Sequence, residues 1–287
     1  MPNRDWSLVF FTTLSQLSIG IVVCFSVLIY LDNGGGVSIE TGLSLKNPVL
    51  LALIFVGVAT VTSFLHLGNP LNAPNALNNL SGSWLSREIL ALSVYSLGLL
   101  IVIGAGWKTG NVASLKIYLA LCSAIGIVLL WMMIRIYTVP TIPVWNTWFT
   151  PSSFILTMLS LGSLTFLCLH QLGVVNIEHQ VDGLMKILIM VLFLEVVSGL
   201  AHHIRLEKFD TGIDDIEFSR GSYFWVFLFR MGLLITAFLV LLVIVFRPEI
   251  YPGAGNSFWI YPLMAFVIAQ ELLGRLLFYS SYFRIGV

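Results

Sequence analysis

Charge is what this sequence has least of. Asp, Glu, Lys and Arg make up 10% of its 287 residues, against roughly 25% in an average soluble domain. Fourteen basic residues cancel fourteen acidic ones, so no net field steers the protein toward nucleic acid, and no basic patch marks such a surface. Cysteine is scarce too. Cys24, Cys122 and Cys168 each stand alone in an apolar run, with no Cys-x-x-Cys, no Cys-x-x-Cys-His and no iron–sulfur spacing. They read as small core residues, so any redox metal must be borrowed from another subunit. These absences exclude a soluble enzyme, a disordered tail and a nucleic-acid binder.

What the sequence has is hydrocarbon: 58% of the residues are hydrophobic and the mean hydropathy is +0.96. A membrane-spanning helix needs about 20 mainly apolar residues. Eight stretches qualify, at about 7–31, 48–66, 88–107, 112–136, 150–170, 184–203, 225–246 and 258–282. In lipid the backbone must satisfy its own hydrogen bonds, so runs of this length are helices. Turn signals separate them: Asn33-Gly34-Gly35-Gly36, Gly68-Asn69-Pro70, Gly110-Asn111, Pro140 to Pro143, Gly173, Asp210 to Asp215 and Pro248 to Gly255. The first apolar stretch, Trp6 to Leu31, is far longer than the roughly 7–15 residues of a cleavable signal core and reads as a span. Trp6, Trp84, Trp107, Trp145, Trp148, Trp225 and Trp259 sit near span ends, as an interfacial aromatic belt would. The expected fold class is an all-α integral membrane protein of the inner membrane. It has eight transmembrane helices in a single polytopic domain over 1–287.

An even number of spans puts both termini on one side, here termed the N-face. His66, Arg87, Glu88, Arg135, Tyr137, His202, His203, Arg205, Arg230 and Arg275 belong to the N-face half, while Lys46, Lys108, Lys116, His170, Lys186 and Arg247 belong to the other. The chemistry-bearing groups are thus gathered at one membrane face. Nine Lys and Arg on the N-face against five opposite make the N-face cytoplasmic by the positive-inside rule. The count falls to five against five once Arg87, Arg135, Arg230 and Arg275 are set aside.

Each candidate has a structural and a functional reading. His66 falls in the last turn of the second span, before the helix stop at Gly68 and Pro70. There it either caps the helix dipole or accepts a proton near neutral pH. Glu88 follows Ser86, a natural N-cap, so the dipole accounts for it, or it marks a proton path at the hydrocarbon rim. Arg135 and Tyr137 either snorkel to the interface or wall a hydrogen-bonding pocket. Glu271 and Arg275, four apart on one helix face, form a structural or a functional ion pair. Glu195 lacks a sequence-local partner and either faces a polar cavity or is held protonated. A bis-histidine haem needs two histidines at one depth on different helices, which His66 with His202 or His203 could satisfy; no haem is expected.

Three blocks resemble a known family. Leu65-His66-Leu67-Gly68-Asn69-Pro70, Asn75 to Leu80 and Ser83-Trp84-Leu85-Ser86-Arg87-Glu88 form the first. Trp131 to Tyr137 with Pro143-x-Trp145 and Trp148-x-Thr150-Pro151 form the second, and Glu271 to Tyr279 the third. Together they are similar to the DmsC-type membrane anchor subunit of dimethyl sulfoxide reductase; the region from about 173 to 224 lies outside the resemblance. The resemblance implies a cofactor-free anchor that binds menaquinol or ubiquinol. It would pass electrons to a four-cluster iron–sulfur subunit serving a molybdopterin catalytic subunit. The family's quinol-site histidine falls on His66 and its nearby acid on Glu88, with Arg87, Arg135 and Tyr137 on the same face. In such reductases the N-face is periplasmic, opposite to the raw charge count. Similar anchors serve sulfite-oxidising complexes that reduce quinone in the reverse direction.

The residues themselves agree with this chemistry. Quinol oxidation releases two protons with two electrons, and a neutral His and a carboxylate beside an apolar slot supply the acceptors. The electrons then require a docked metal-bearing partner, for which the acidic loop from Glu207 to Glu217 is a candidate surface. A secondary transporter is the alternative of another class, favoured by Glu195 alone; no internal repeat supports it. A purely structural anchor is the third reading.

Overall fold

The computed structural model describes residues 4–32, 47–64, 75, 77–109, 112–209, 222–247 and 259–281. Eight helices account for nearly all of them: α1 (Arg4–Leu31), α2 (Pro48–Phe64), α3 (Trp84–Thr109), α4 (Val112–Tyr137), α5 (Phe149–Gln171), α6 (Val181–Phe209), α7 (Ser222–Phe246) and α8 (Ile260–Ser280). Seven are long and apolar enough to cross a membrane. The described part of α2 has 17 residues, about 25 Å of axis at 1.5 Å per residue. The helices run a few residues past most of the expected spans, because hydropathy marks only the hydrocarbon-buried part while backbone bonding continues into the interface.

The helices form two groups of four. α1 packs on α2 and α4, and α3 on α2 and α4; α5 packs on α6 and α8, and α7 on α6 and α8. The groups meet where α1 lies against α5 and α8. At the α1–α5 crossing the backbones touch: a Cβ built on Gly162 would lie 2.5 Å from the carbonyl carbon and oxygen of Gly20. Small residues allow such close approach between helices in lipid, where packing rather than hydrophobicity drives association. Single hydroxyls stitch the first group together. Ser18 donates to the Ala52 carbonyl at 2.8 Å and lies 3.1 Å from the Tyr95 hydroxyl. Ser123 reaches the Val22 carbonyl at 3.2 Å.

Both ends of the described chain lie at one face, as expected. Tyr279, in the last turn of α8, donates to Thr12 near the start of α1 at 3.3 Å. The α4–α5 connection belongs to the same face, since the Trp145 indole donates to the Phe278 carbonyl at 2.9 Å. Trp145 is therefore not part of an aromatic belt. It is buried, stacked on Phe278 at 5.1 Å and edge-on to Tyr137. Trp6, Trp148, Trp225 and Trp259 are exposed, as belt residues are. At the opposite face His170 lies 3.2 Å from the Val175 carbonyl, closing the turn made by Gly173 at φ +67°.

Candidate functional site

Helix α3 starts earlier than its sequence suggests. Ser83, not Ser86, is the cap: its hydroxyl accepts the Ser86 N–H at 3.3 Å and its carbonyl accepts the Arg87 N–H. That geometry is the N-cap to N3 bond, and it pushes Glu88 into the second turn. There the dipole argument weakens, and Glu88 is only 4% exposed. Burying a carboxyl at the membrane rim is costly, and such groups commonly mark proton paths.

Its neighbours are tyrosines. Glu88 interacts electrostatically with both Tyr137, from the end of α4, and Tyr279, from the end of α8. The two hydroxyls are hydrogen-bonded at 2.9 Å, and both rings are buried. Phe154, Phe278 and Trp145 surround Tyr137 with ring centroids at 5.4 to 5.7 Å. A carboxyl, two phenols and an aromatic wall thus converge at the N-face, drawn from α3, α4 and α8.

Arg87 and Arg135 stand apart from that convergence. Both are half-buried and lie over the Trp84 ring, at 4.2 and 5.0 Å. Arg87 donates to the Leu80 and Ser81 carbonyls at 2.8 and 2.7 Å, so it fastens the segment before α3. His66, with the whole segment 65–70, lies outside the described residues, as does 210–217 of the proposed docking loop.

A second polar cluster sits deeper, in the α5–α8 group. The expected Glu271–Arg275 ion pair is not direct. Glu271 takes hydrogen bonds from Thr157 at 2.8 Å and Ser160 at 3.0 Å. Arg275 donates to Gln16 at 2.8 Å, to the Thr157 hydroxyl at 3.2 Å and to the Ser153 carbonyl at 3.3 Å, with its guanidinium 3.8 Å from the Phe154 ring centre. Thr157 is the bridge between acid and base. Glu195 does find a partner: Gln270 donates to its Oε2 at 3.0 Å, and the carboxyl lies beside the Glu271 carboxyl and the Ser160 hydroxyl. Arg230 is buried against α8, where a Cβ on Gly274 would lie 2.8 Å from its guanidinium. His202 and His203 stack on Phe149 and Phe227 at 3.8 and 4.1 Å. Among the described residues no group of three or more His, Cys, Asp and Glu could hold a metal.

The family model of the DMSO reductase anchor subunit (DmsC) matches residues 2–281. The protein belongs to that family. Its relatives include the C subunit of the anaerobic dimethyl sulfoxide reductase of Escherichia coli (strain K12), 28% identical with 99% of this sequence and 97% of that one covered. The corresponding C subunit of Haemophilus influenzae is 27% identical over 98% and 95%, and the Escherichia coli anaerobic dimethyl sulfoxide reductase subunit YnfH 24% over 99% and 97%. The anchor is thus a multi-pass inner-membrane subunit of anaerobic respiratory electron transport.

Reading the anchor's sequence missed Tyr279, Thr157, Ser160, Gln270 and Gln16. A signal existed for two of them. Tyr279 lies four residues beyond Arg275, and Gln16 lies four beyond Thr12 on α1. Spacing of four places each pair on one helix face. The antiparallel helices bring Thr12 to Tyr279 and Gln16 to Arg275.

Proposed function

We propose that this anchor oxidises a membrane quinol at its N-face and passes the electrons to a docked iron–sulfur subunit, which feeds a molybdopterin catalytic subunit. The observation that carries the reading is the buried Glu88 within electrostatic reach of the hydrogen-bonded Tyr137–Tyr279 pair. A quinol hydroxyl needs a positioned acceptor when its electrons leave, and a carboxylate with adjacent phenols provides an acceptor and a relay. The aromatic wall of Trp145, Phe154 and Phe278 provides an apolar surface for a quinone ring. His66 and Arg135 belong to the same reading through the family motif. The four-cluster form of the iron–sulfur partner and the choice of menaquinol or ubiquinol follow from the resemblance. The reverse reaction, quinone reduction in a sulfite-oxidising complex, would use the same groups with protons running inward.

The test is Glu88→Gln in the assembled complex, assayed as quinol-driven reduction of the iron–sulfur subunit. Loss of a general base costs roughly 10²–10⁴-fold, so turnover falls by at least about 10²-fold with the subunits still co-purifying. His66→Ala is expected to abolish quinol-driven activity while leaving assembly intact. Unchanged turnover in Glu88→Gln removes Glu88 from the proton path, and failed assembly of His66→Ala assigns that residue a structural role.

A further inference from the structure

The deeper cluster holds two carboxylic acids in the middle of their helices, and quinol oxidation at the rim does not use them. Glu271 and Glu195 are 3% and 4% exposed. A cleft among α5 to α8 leads to them from the N-face end. Phe149 and Phe278 line its outer part, Ser153, Arg230 and Gly274 its flank, and Glu195 and Glu271 its inner end. Its volume of ≈ 10 Å³ is about the room of one water molecule. A quinone ring needs a pocket on the order of 300 Å³ or more, so the cleft admits protons and water and excludes quinol.

The hydroxyls around Glu271 are arranged to serve two protonation states. Thr157 Oγ1 lies 2.8 Å from Glu271 Oε2 and 2.7 Å from the Ser153 carbonyl. Ser160 Oγ lies 3.0 Å from Glu271 Oε1 and 3.2 Å from the Thr157 carbonyl. Each hydroxyl has one proton to give and two acceptors in reach. With Glu271 ionised, both donate to the carboxylate. With Glu271 protonated, Thr157 turns to the backbone and accepts the carboxylic proton, and no heavy atom moves. Beside it Glu195 Oε1 is buried and makes no hydrogen bond among the described residues, with the Ser160 hydroxyl and the Glu271 carboxyl next to its group at the inner end of the cleft.

We propose that Glu271, with Glu195 beside it, is a mid-membrane proton-binding site loaded from the N-face through the α5–α8 cleft. The proton enters as a bond to a carboxylate oxygen and leaves by the same route; no electron moves. The charged groups facing the site are Arg230 from α7 and Arg275 from α8, with His202 from α6 on the far side, beside Arg230. α1 and α5 contribute the neutral Gln16, Ser153, Thr157 and Ser160. Two guanidiniums offset the first negative charge, and the second acid is the one that gains and loses its proton. The link to turnover rests on the quinol-oxidising reading, since the quinol's protons are released at the same face.

The experiment is infrared difference spectroscopy of the whole complex, recorded as a function of pH in water and in deuterium oxide, with quinol oxidation assayed on the same samples. The wild type is expected to show a carboxylic-acid C=O band that grows as pH falls and shifts in deuterium oxide. Glu271→Gln removes it and Glu195→Gln displaces its midpoint. Should Glu271→Gln fail to assemble, Ser160→Ala removes one hydrogen bond to the carboxyl and shifts the band. A wild type without the band, a band that survives Glu271→Gln, or one that Ser160→Ala leaves unmoved overturns the proposal. A quinol-active complex with a silent acid pair overturns this proposal alone. An inactive complex whose acid pair still titrates overturns the quinol reading alone.

Discussion

Where α1 to α4 pack against one another below the N-face rim, the inter-helix hydrogen bonds among the described residues come from hydroxyls: Ser18 on the Ala52 carbonyl and beside Tyr95, and Ser123 on the Val22 carbonyl. Where α5 to α8 pack, the contacts involve ionisable groups and amides: Glu271 on Thr157 and Ser160, Glu195 on Gln270, Arg275 on Thr157, Arg230 against Gly274. Both groups are helices of similar length in the same solvent, so association alone does not call for the second chemistry. Hydroxyl contacts and small residues hold membrane helices at little cost. Buried charges are costly, and a buried ion pair is often no better than an apolar replacement. Below the N-face rim, where Glu88 of α3 and Tyr137 of α4 meet Tyr279 of α8, the difference separates a scaffold interior in α1 to α4 from an α5–α8 interior whose polar groups are there for protons, and it predicts where substitutions act on stability and where on turnover.

The sharpest break comes from Arg275. Removing one member of a buried charged network costs about 3–5 kcal/mol, because the others remain uncompensated. Arg275→Ala is expected to lower the thermal midpoint and yield of the detergent-solubilised complex by that order. Arg275→Ala combined with Glu271→Gln is expected to recover part of the loss. A single variant as stable as wild type would show the network is not charge-balanced as described.

The seam between the two groups has its own weak point at the α1–α5 crossing. Gly162→Val would place carbon atoms within 2.5 Å of the Gly20 backbone. Overpacking costs about 1–3 kcal/mol, with the upper end expected where backbone must move. The loss would appear in thermal stability, with turnover per assembled complex retained. Loss of turnover at normal stability would place a functional element at that crossing.

Tyr279→Phe tests the rim. It removes the hydroxyl that joins Tyr137 to Thr12 and keeps the ring. Turnover with quinol is expected to fall about tenfold, equivalent to about 1.4 kcal/mol in the barrier, with assembly unchanged. Equal turnover would leave Glu88 without its phenol relay.

How far the sequence discloses these two halves depends on range. Span number, helix positions and the one-sided distribution of polar groups follow from hydropathy and parity, which are local. Glu88 and Tyr137 were legible through the motif blocks, and the structure brings them together. Helix α3's true start was not, because Ser83 and Ser86 are both acceptable caps by residue type and only the hydrogen bond decides between them. The i, i+4 rule placed Glu271 and Arg275 on one face but could not foresee Thr157 entering from α5 to separate them. The partner of Glu195 is 75 residues away, on α8, and no local pattern carries that information.

The smallest effect belongs to Ser18→Ala. The hydroxyl donates to the Ala52 carbonyl and meets Tyr95, so it touches α2 and α3 at once. Inter-helix hydrogen bonds within membranes average about 0.6 kcal/mol by double-mutant cycles. The carbonyl it leaves keeps its own helical bond, so nothing is orphaned on that side. A stability loss near that average, with turnover unchanged, is what a scaffold contact predicts. A double-mutant cycle with Tyr95→Phe isolates the hydroxyl pair. A coupling of several times that average, or any change in the quinol rate, would mean the interior of the first group, below Glu88 and Tyr137, also holds a polar group under functional constraint. The division between scaffold and proton-handling halves would then have to be redrawn with α1 on the functional side, where Thr12 and Gln16 already reach across to Tyr279 and Arg275.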